Sequence, residues 1–205
     1  MRMSISSAGL LALLMPGTAQ ALLINGGFET GDYTGWTINF TPTNDTGLPN
    51  PALIWHTSYE AARVHDGNYS VDFNYLNATP SAVLEQTFAT GAGQSYVMTF
   101  WFGATAVYGT DAAMAASVLG ADGLSVLTTD SYLILGNNST QWTFQTLTFM
   151  ADGAQATIRF TDIGTQTFAT DGLLDTVEVQ AVPEPSTFAA MLAGLLGLAG
   201  VRLRR

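Results

Sequence analysis

Between residues 22 and 182 short apolar runs alternate with polar residues at a period of two and stop at turn residues. Ser70-Val71-Asp72-Phe73, Val83 to Phe88, Tyr96 to Phe102, Ala116 to Leu119, Trp142 to Phe149, Ala156 to Phe160 and Leu173 to Val179 each read as a strand. Asp122-Gly123, set between Val118-Leu119 and Leu124 to Leu127, signals a hairpin. Gly91-Ala92-Gly93, Gly136-Asn137-Asn138 and Asp152-Gly153 mark further turns. The one competing window, Asp111 to Ala116, is alanine-rich and reads either as a helical turn or as the entry to a strand. Regular strands with no helices between them predict an all-β fold, an antiparallel two-sheet β-sandwich in a single domain.

Both ends depart from this pattern. Residues 1–21 have Arg2 in a short leader, an apolar stretch from Ala8 to Met15, Pro16-Gly17, and small residues at Ala19 and Ala21. That order predicts a secretory signal peptide cut after Ala21. At the other end, residues 183–205 begin with Pro183-Glu184-Pro185, continue through Phe188 to Val201 without a charge, and finish with Arg202, Arg204 and Arg205. Two prolines make a stiff, extended breaker. The apolar run is short for a spanning helix, and positive residues stay on the cytoplasmic side. The expected orientation puts the domain outside and the C-terminus inside.

Within residues 22–182, two arginines stand against fifteen carboxylates, a net charge of −13, and lysine is absent. Nucleic acid is excluded as a partner, because phosphate neutralisation needs many cations. The chain has no cysteine, so an exported domain of this kind draws its stability from packing, sheet hydrogen bonds or a metal. The two histidines lack a nucleophile elbow, and no His/Cys cluster suggests zinc or iron. No catalytic residue is assigned.

The tail, with its Pro-Glu-Pro, apolar segment and arginine cluster paired with a signal peptide, resembles the PEP-CTERM sorting signal of Gram-negative bacteria. The resemblance implies handling by an exosortase, a transpeptidase-like membrane enzyme, with Pro183, Glu184, Pro185, Arg202, Arg204 and Arg205 as the sorting motif. It implies export through the inner membrane, transient membrane anchoring through the C-terminal helix, and an extracellular setting associated with exopolysaccharide.

The domain itself resembles galactose-binding-like jelly rolls of the kind found in carbohydrate-binding modules. The matching stretches are Asn25-Gly26-Gly27-Phe28-Glu29 to Trp36, His65-Asp66-Gly67-Asn68-Tyr69-Ser70, Leu84 to Phe88, Tyr96 to Phe102, Trp142 to Phe149 and Leu173 to Val179. One departure stands out: the last strand of such modules carries Asp-Asp-Val or Asp-Asn-Val, and here Thr176 takes the second place.

The resemblance implies that the first and last strands are neighbours, which brings Glu29 near Asp175. Together with Asp66 these carboxylates either hold a structural Ca²⁺ or satisfy backbone N–H groups at strand ends. For a sugar ligand, aromatic faces are needed. Trp36, Trp101 and Trp142 are expected to pack inward. The irregular stretch from Thr41 to Asp66 supplies Trp55, His56 and Tyr59 as candidate ligand contacts, and Tyr75 and Tyr108 are further candidates elsewhere in the chain. The functional expectation is a non-catalytic binding or structural module in contact with extracellular polysaccharide. A polysaccharide hydrolase and a surface protein without a ligand are the alternatives.

Overall fold

A computed structural model describes residues 22–39, 52–74, 81–166 and 168–183. The predicted leader, most of the sorting tail and Tyr75 lie outside these residues. Ten strands are present among them: β1 (Thr37–Asn39), β2 (Ala52–His56), β3 (Tyr69–Phe73), β4 (Val83–Ala89), β5 (Ser95–Ala106), β6 (Asp111–Leu119), β7 (Val126–Leu135), β8 (Ser139–Met150), β9 (Gln155–Asp162) and β10 (Thr170–Ala181). The first sheet runs β1-β4-β9-β6-β7 and the second β2-β3-β10-β5-β8, with every pair antiparallel. The alanine-rich window is strand throughout, because Ala112, Met114 and Ala116 alternate into the core from β6.

Alternation decides which side chains meet between the sheets. In β5, Tyr96, Met98, Phe100 and Phe102 are buried, while Val97, Thr99 and Trp101 between them are only half-buried. An aromatic chain crosses the core from Phe28 to Trp36, Phe160, Phe100 and Tyr132, with neighbouring ring centroids 5.0–6.3 Å apart. Trp36 is therefore a core residue, as expected, and its indole N–H is donated to the Asn25 carbonyl. The Asp122-Gly123 hairpin also forms: Asp122 accepts the N–H groups of Leu124 and Ser125, and Gly123 takes a positive φ of 70°.

The first and last strands are not neighbours. β1 pairs with β4 in the first sheet, and β10 lies between β3 and β5 in the second. What reaches β10 is the loop before β1. The Val177 N–H is donated to the Gly26 carbonyl at a bulge between Asp175 and Glu178.

That bulge puts Thr176 at φ 51°. A β-branched residue is strained in the left-handed region, whereas Asn and Asp are tolerated there. The family's Asp or Asn at this place thus has a backbone reason. Thr176→Asn should stabilise the domain by about 1 kcal/mol, which raises the melting temperature by roughly 2–4 °C. Calorimetry on the two forms checks this, and an unchanged or lower melting temperature would refute it.

Candidate functional site: a roofed aromatic face on the second sheet

The second sheet has an outer face turned away from the core, and the segment from Thr57 to Asn68 crosses it. Ser70, Asp72 and Leu173 belong to this outer face by register, yet all three are fully buried. The crossing segment covers them. It contains one 3-10 turn, Ala61–Arg63, and it is fastened at several points. The Ser70 hydroxyl donates to the Arg63 carbonyl (2.7 Å), and the Trp142 indole N–H donates to the Ala62 carbonyl (3.0 Å). The Asp175 Oδ2 accepts the N–H groups of His65 and Asp66 at 3.0 and 3.1 Å.

Arg63 is the central fastening. Its Nη1 donates to Asp72 Oδ2 (2.6 Å) and Asp171 Oδ2 (2.7 Å), and its Nε to Glu60 Oε2 (2.9 Å). Its guanidinium carbon lies 4.7 Å from the centre of the Trp55 ring, a cation–π contact. Burial alone would pull the arginine toward its neutral form, but Asp72 and Asp171 hold it charged. Burial and the neighbouring Asp171 push the Asp72 carboxyl up, against the pull of Arg63. Asp171 is likewise raised, by burial, with Arg63 opposing.

Beside the roof lies an aromatic platform. Trp101 and Trp142 were expected in the core and are not there. The strand register places Trp101 opposite Phe144, and Gly103 opposite Trp142, on the outer face. Trp142 lies flat across Gly103; a β-carbon at Gly103 would stand 2.6 Å from the indole ring. Phe144, two residues on, is 56% exposed. His65 stacks on Trp101 with ring centroids 3.8 Å apart and planes at 19°, and it meets Trp142 edge-on at 5.6 Å. Burial lowers the His65 pKa, with Asp66 opposing.

Above the platform the face ends in a cleft of about 290 Å³ lined by Arg63, Thr105, Val107, Asn138, Ala169 and Asp171. Thr105 and Thr140 share a hydroxyl hydrogen bond (2.7 Å) one register step above Trp142, which joins cleft to platform.

The predicted ligand contacts divide. Trp55 and Tyr59 meet on the roofed face with centroids 5.8 Å apart, and Tyr59 is 79% exposed. His56 turns the other way, packing edge-on against Tyr69 at 4.7 Å. Tyr108 is exposed at the far end, where its N–H is held by Asn138 Oδ1 and it borders a separate cleft of about 330 Å³. The sequence reading missed Arg63, Asp72 and Asp171. The scarcity of cations was the available signal, since only Arg63 and Arg159 occur in the domain.

Glu29 and Asp175 both grip the turn before β3. Glu29 Oε1 accepts the N–H groups of Asn68 and Tyr69 at 2.9 and 3.0 Å, and its carboxylate also blocks any β-carbon at Gly67, whose φ is 69°. Asp175 Oδ1 accepts the Thr176 N–H (2.6 Å) in addition to the two bonds at Oδ2. Calcium takes six to eight oxygens, carboxylate and backbone carbonyl alike. In this structure the Glu29 and Asp175 oxygens accept backbone N–H groups, Asp66 is exposed, and among the described residues no three His, Cys, Asp or Glu side chains lie together.

The fold just described is that of the carbohydrate-binding-module jelly rolls. Similar solved structures include TmCBM61 in complex with beta-1,4-galactotriose, at 17% identity and a TM-score of 0.58, covering 80% of this chain and 100% of the other. Another is the K1 cleaved adhesin domain of Lys-gingipain from Porphyromonas gingivalis, at 17% identity and 0.54, covering 77% and 96%. A third is the enzymatically active domain of tailspike protein 4 from bacteriophage CBA120, at 16% identity and 0.50, covering 79% of this chain and 21% of that one. Residues 181–205 match the PEP-CTERM protein-sorting motif, so the chain carries this signal, which implies export and sorting to the surface of a Gram-negative bacterium. No curated protein matches the sequence. Among the described residues no helix is long and apolar enough to cross a membrane.

Two predictions rest on the buried charges. Removing one partner of a buried ion pair is costly because the other charge stays behind, so Arg63→Met should cost about 3–5 kcal/mol at pH 7. Part of that loss should return as the pH is lowered and Asp72, already raised by burial, takes up a proton. Urea unfolding over a series of pH values from 7 downward checks it, and a loss independent of pH would contradict the assignment. In the unaltered domain, burial raises Asp162 and Asp175 to about 6, opposed by the Gly164 N–H at Asp162 and by the N–H groups of Asp66, Thr176 and His65 at Asp175. Asp72 and Asp171 shift the same way. The folded state then holds protons more tightly than the unfolded chain between about pH 4 and 6, so stability should fall as pH rises through that window and level off above it. A urea midpoint that rises from pH 4 to pH 7 would show the opposite linkage.

Proposed function

We propose that this protein is an exported, surface-directed module that binds extracellular polysaccharide on the outer face of its second sheet and performs no chemistry on it. The single observation carrying this reading is the Trp142 ring laid flat over Gly103 with the exposed Phe144 beside it on the same strand face. Sugar rings stack their C–H faces on aromatic surfaces of this kind, and short polar side chains alongside fix their orientation. Here those side chains are Thr105, Thr140 and Asn138.

The hydrolase alternative has less support. Asp72 and Asp171 are a close carboxylate pair, but the same Arg63 nitrogen sits between them, and Asp72 is fully buried. A glycosidase pair must flank the scissile bond with an acid on one side and a base or nucleophile on the other.

The tail supplies the route. An exosortase-type enzyme recognises Pro183-Glu184-Pro185 and the segment behind it, Arg202, Arg204 and Arg205 hold the C-terminus on the cytoplasmic side, and processing releases the domain to the cell surface or matrix.

Pull-down with exopolysaccharide from the producing cells tests the binding reading. Phe144→Ala combined with Trp142→Ala should weaken retention about tenfold or more, a stacking loss of roughly 1.4 kcal/mol, with no release of reducing ends by either form. Equal retention of the double variant would overturn the platform, and a steady rise in reducing ends with the unaltered domain would establish the hydrolase instead. Neutral replacements at Arg202, Arg204 and Arg205 should leave the chain unprocessed or mislocalised in fractionated cells.

A further inference from the structure

The cleft above the platform has a chemistry of its own. Arg63 uses Nε and Nη1 on three carboxylates, which leaves Nη2 without a protein partner among the described residues. Asp171 uses Oδ2 on Arg63, and its Oδ1 accepts nothing among those residues. Arg63 and Asp171 are joined through Nη1 and Oδ2, so the free donor and the free acceptor belong to two directly bonded residues, and both residues line the cleft. Asn138, at φ 65°, accepts the Tyr108 N–H at Oδ1, and its Nδ2 has no partner among the described residues. Thr105, bonded through its hydroxyl to Thr140, lines one border, and Val107 and Ala169 supply apolar wall.

We infer that this cleft recognises one neutral sugar unit through a pair of adjacent hydroxyls, with Arg63 Nη2 donating to one oxygen and Asp171 Oδ1 accepting from the other. The inference rests on the polysaccharide-binding reading and names the unit that the site selects. A vicinal diol is the group that supplies an acceptor and a donor side by side, and it matches the fixed pair without a change of charge. Anionic sugars fit poorly. One arginine stands among three acidic side chains, Glu60, Asp72 and Asp171, and the domain as a whole is strongly acidic. An ammonium group would satisfy Asp171 but would stand against the Arg63 guanidinium, which needs an acceptor. Neutral diols are the class left.

The pair is also pre-oriented. Arg63 is clamped by its other bonds and by the Trp55 ring, so little side-chain freedom is lost when a sugar arrives. The platform alone would accept any pyranose face; the cleft adds the selection.

The full exported domain, residues 22–182, can be titrated with defined probes: neutral galactose, glucose and mannose trisaccharides, a trigalacturonate, and a glucosamine trisaccharide. At least one neutral probe should bind more tightly than both charged probes by tenfold or more. Asp171→Asn keeps the shape but turns the acceptor edge partly into a donor and should weaken the neutral probe by about 10- to 100-fold, the range for hydrogen bonds to charged groups; Asn138→Ala removes an exposed neutral amide and should weaken it by about 3- to 10-fold. Near-ultraviolet circular dichroism of each variant shows that it is folded. Tightest binding of the galacturonate or glucosamine probe overturns the inference. So does unchanged affinity in both variants, and if Phe144→Ala still weakens binding in that case, the platform reading stands while the cleft reading fails. Failure of all probes to bind, with the polysaccharide itself retained through Phe144, also removes the diol assignment.

Discussion

Arg63 is the contact on which the outer half of this molecule depends. Without it the segment from Thr57 to Asn68 would have the buried Asp72 and the half-buried Asp171 beneath it and no cation to balance them. With it, Asp72 and Asp171 become anchors for a roof. Its remaining fastenings, Ser70 to the Arg63 carbonyl and Asp175 to the His65 and Asp66 amides, hold the chain on either side of the same point. The platform follows from the roof. His65 reaches Trp101, and Ala62 receives the Trp142 indole N–H, only because the crossing segment is held down.

The sandwich interior is a separate matter. Its aromatic chain and alternating β5, β6 and β9 side chains need no charge, and they form the rigid frame on which the outer face is built. The two layers of organisation meet at β10. Its inner residues Leu174, Val177 and Val179 belong to the core, while Asp171 and Asp175 serve the roof. The strained Thr176 lies in the bulge between these duties.

Much of the frame was legible in the sequence because burial with period two leaves a direct imprint. Phe100-Trp101-Phe102 shows both the strength and the limit of that imprint. The alternation puts Trp101 on the face opposite the two phenylalanines, whereas the size and hydrophobicity of tryptophan favour a core position. The run from Thr128 to Leu135 left little signal as a strand, since only Ile134 is fully buried in that edge strand. The site was less legible. Asp72 and Arg63 lie nine residues apart with Asp171 about a hundred further on, and nothing local distinguishes a buried aspartate from a solvated one. Glu29 and Asp175 stand out in the sequence as carboxylates near strand ends, and in the structure both accept backbone N–H groups. Such partners leave no trace in residue type.

The roof's attachment is the central claim, and amide hydrogen exchange tests it most directly. His65, Asp66, Asn68 and Tyr69 donate their N–H groups to Asp175 and Glu29. A roof locked to the sheet opens only when the sheet does, so these four amides should exchange within about tenfold of the slow amides of β3 and β10. Exchange at the rate of an unstructured loop, with the strands still protected, would show that the segment is not fastened and would contradict the account.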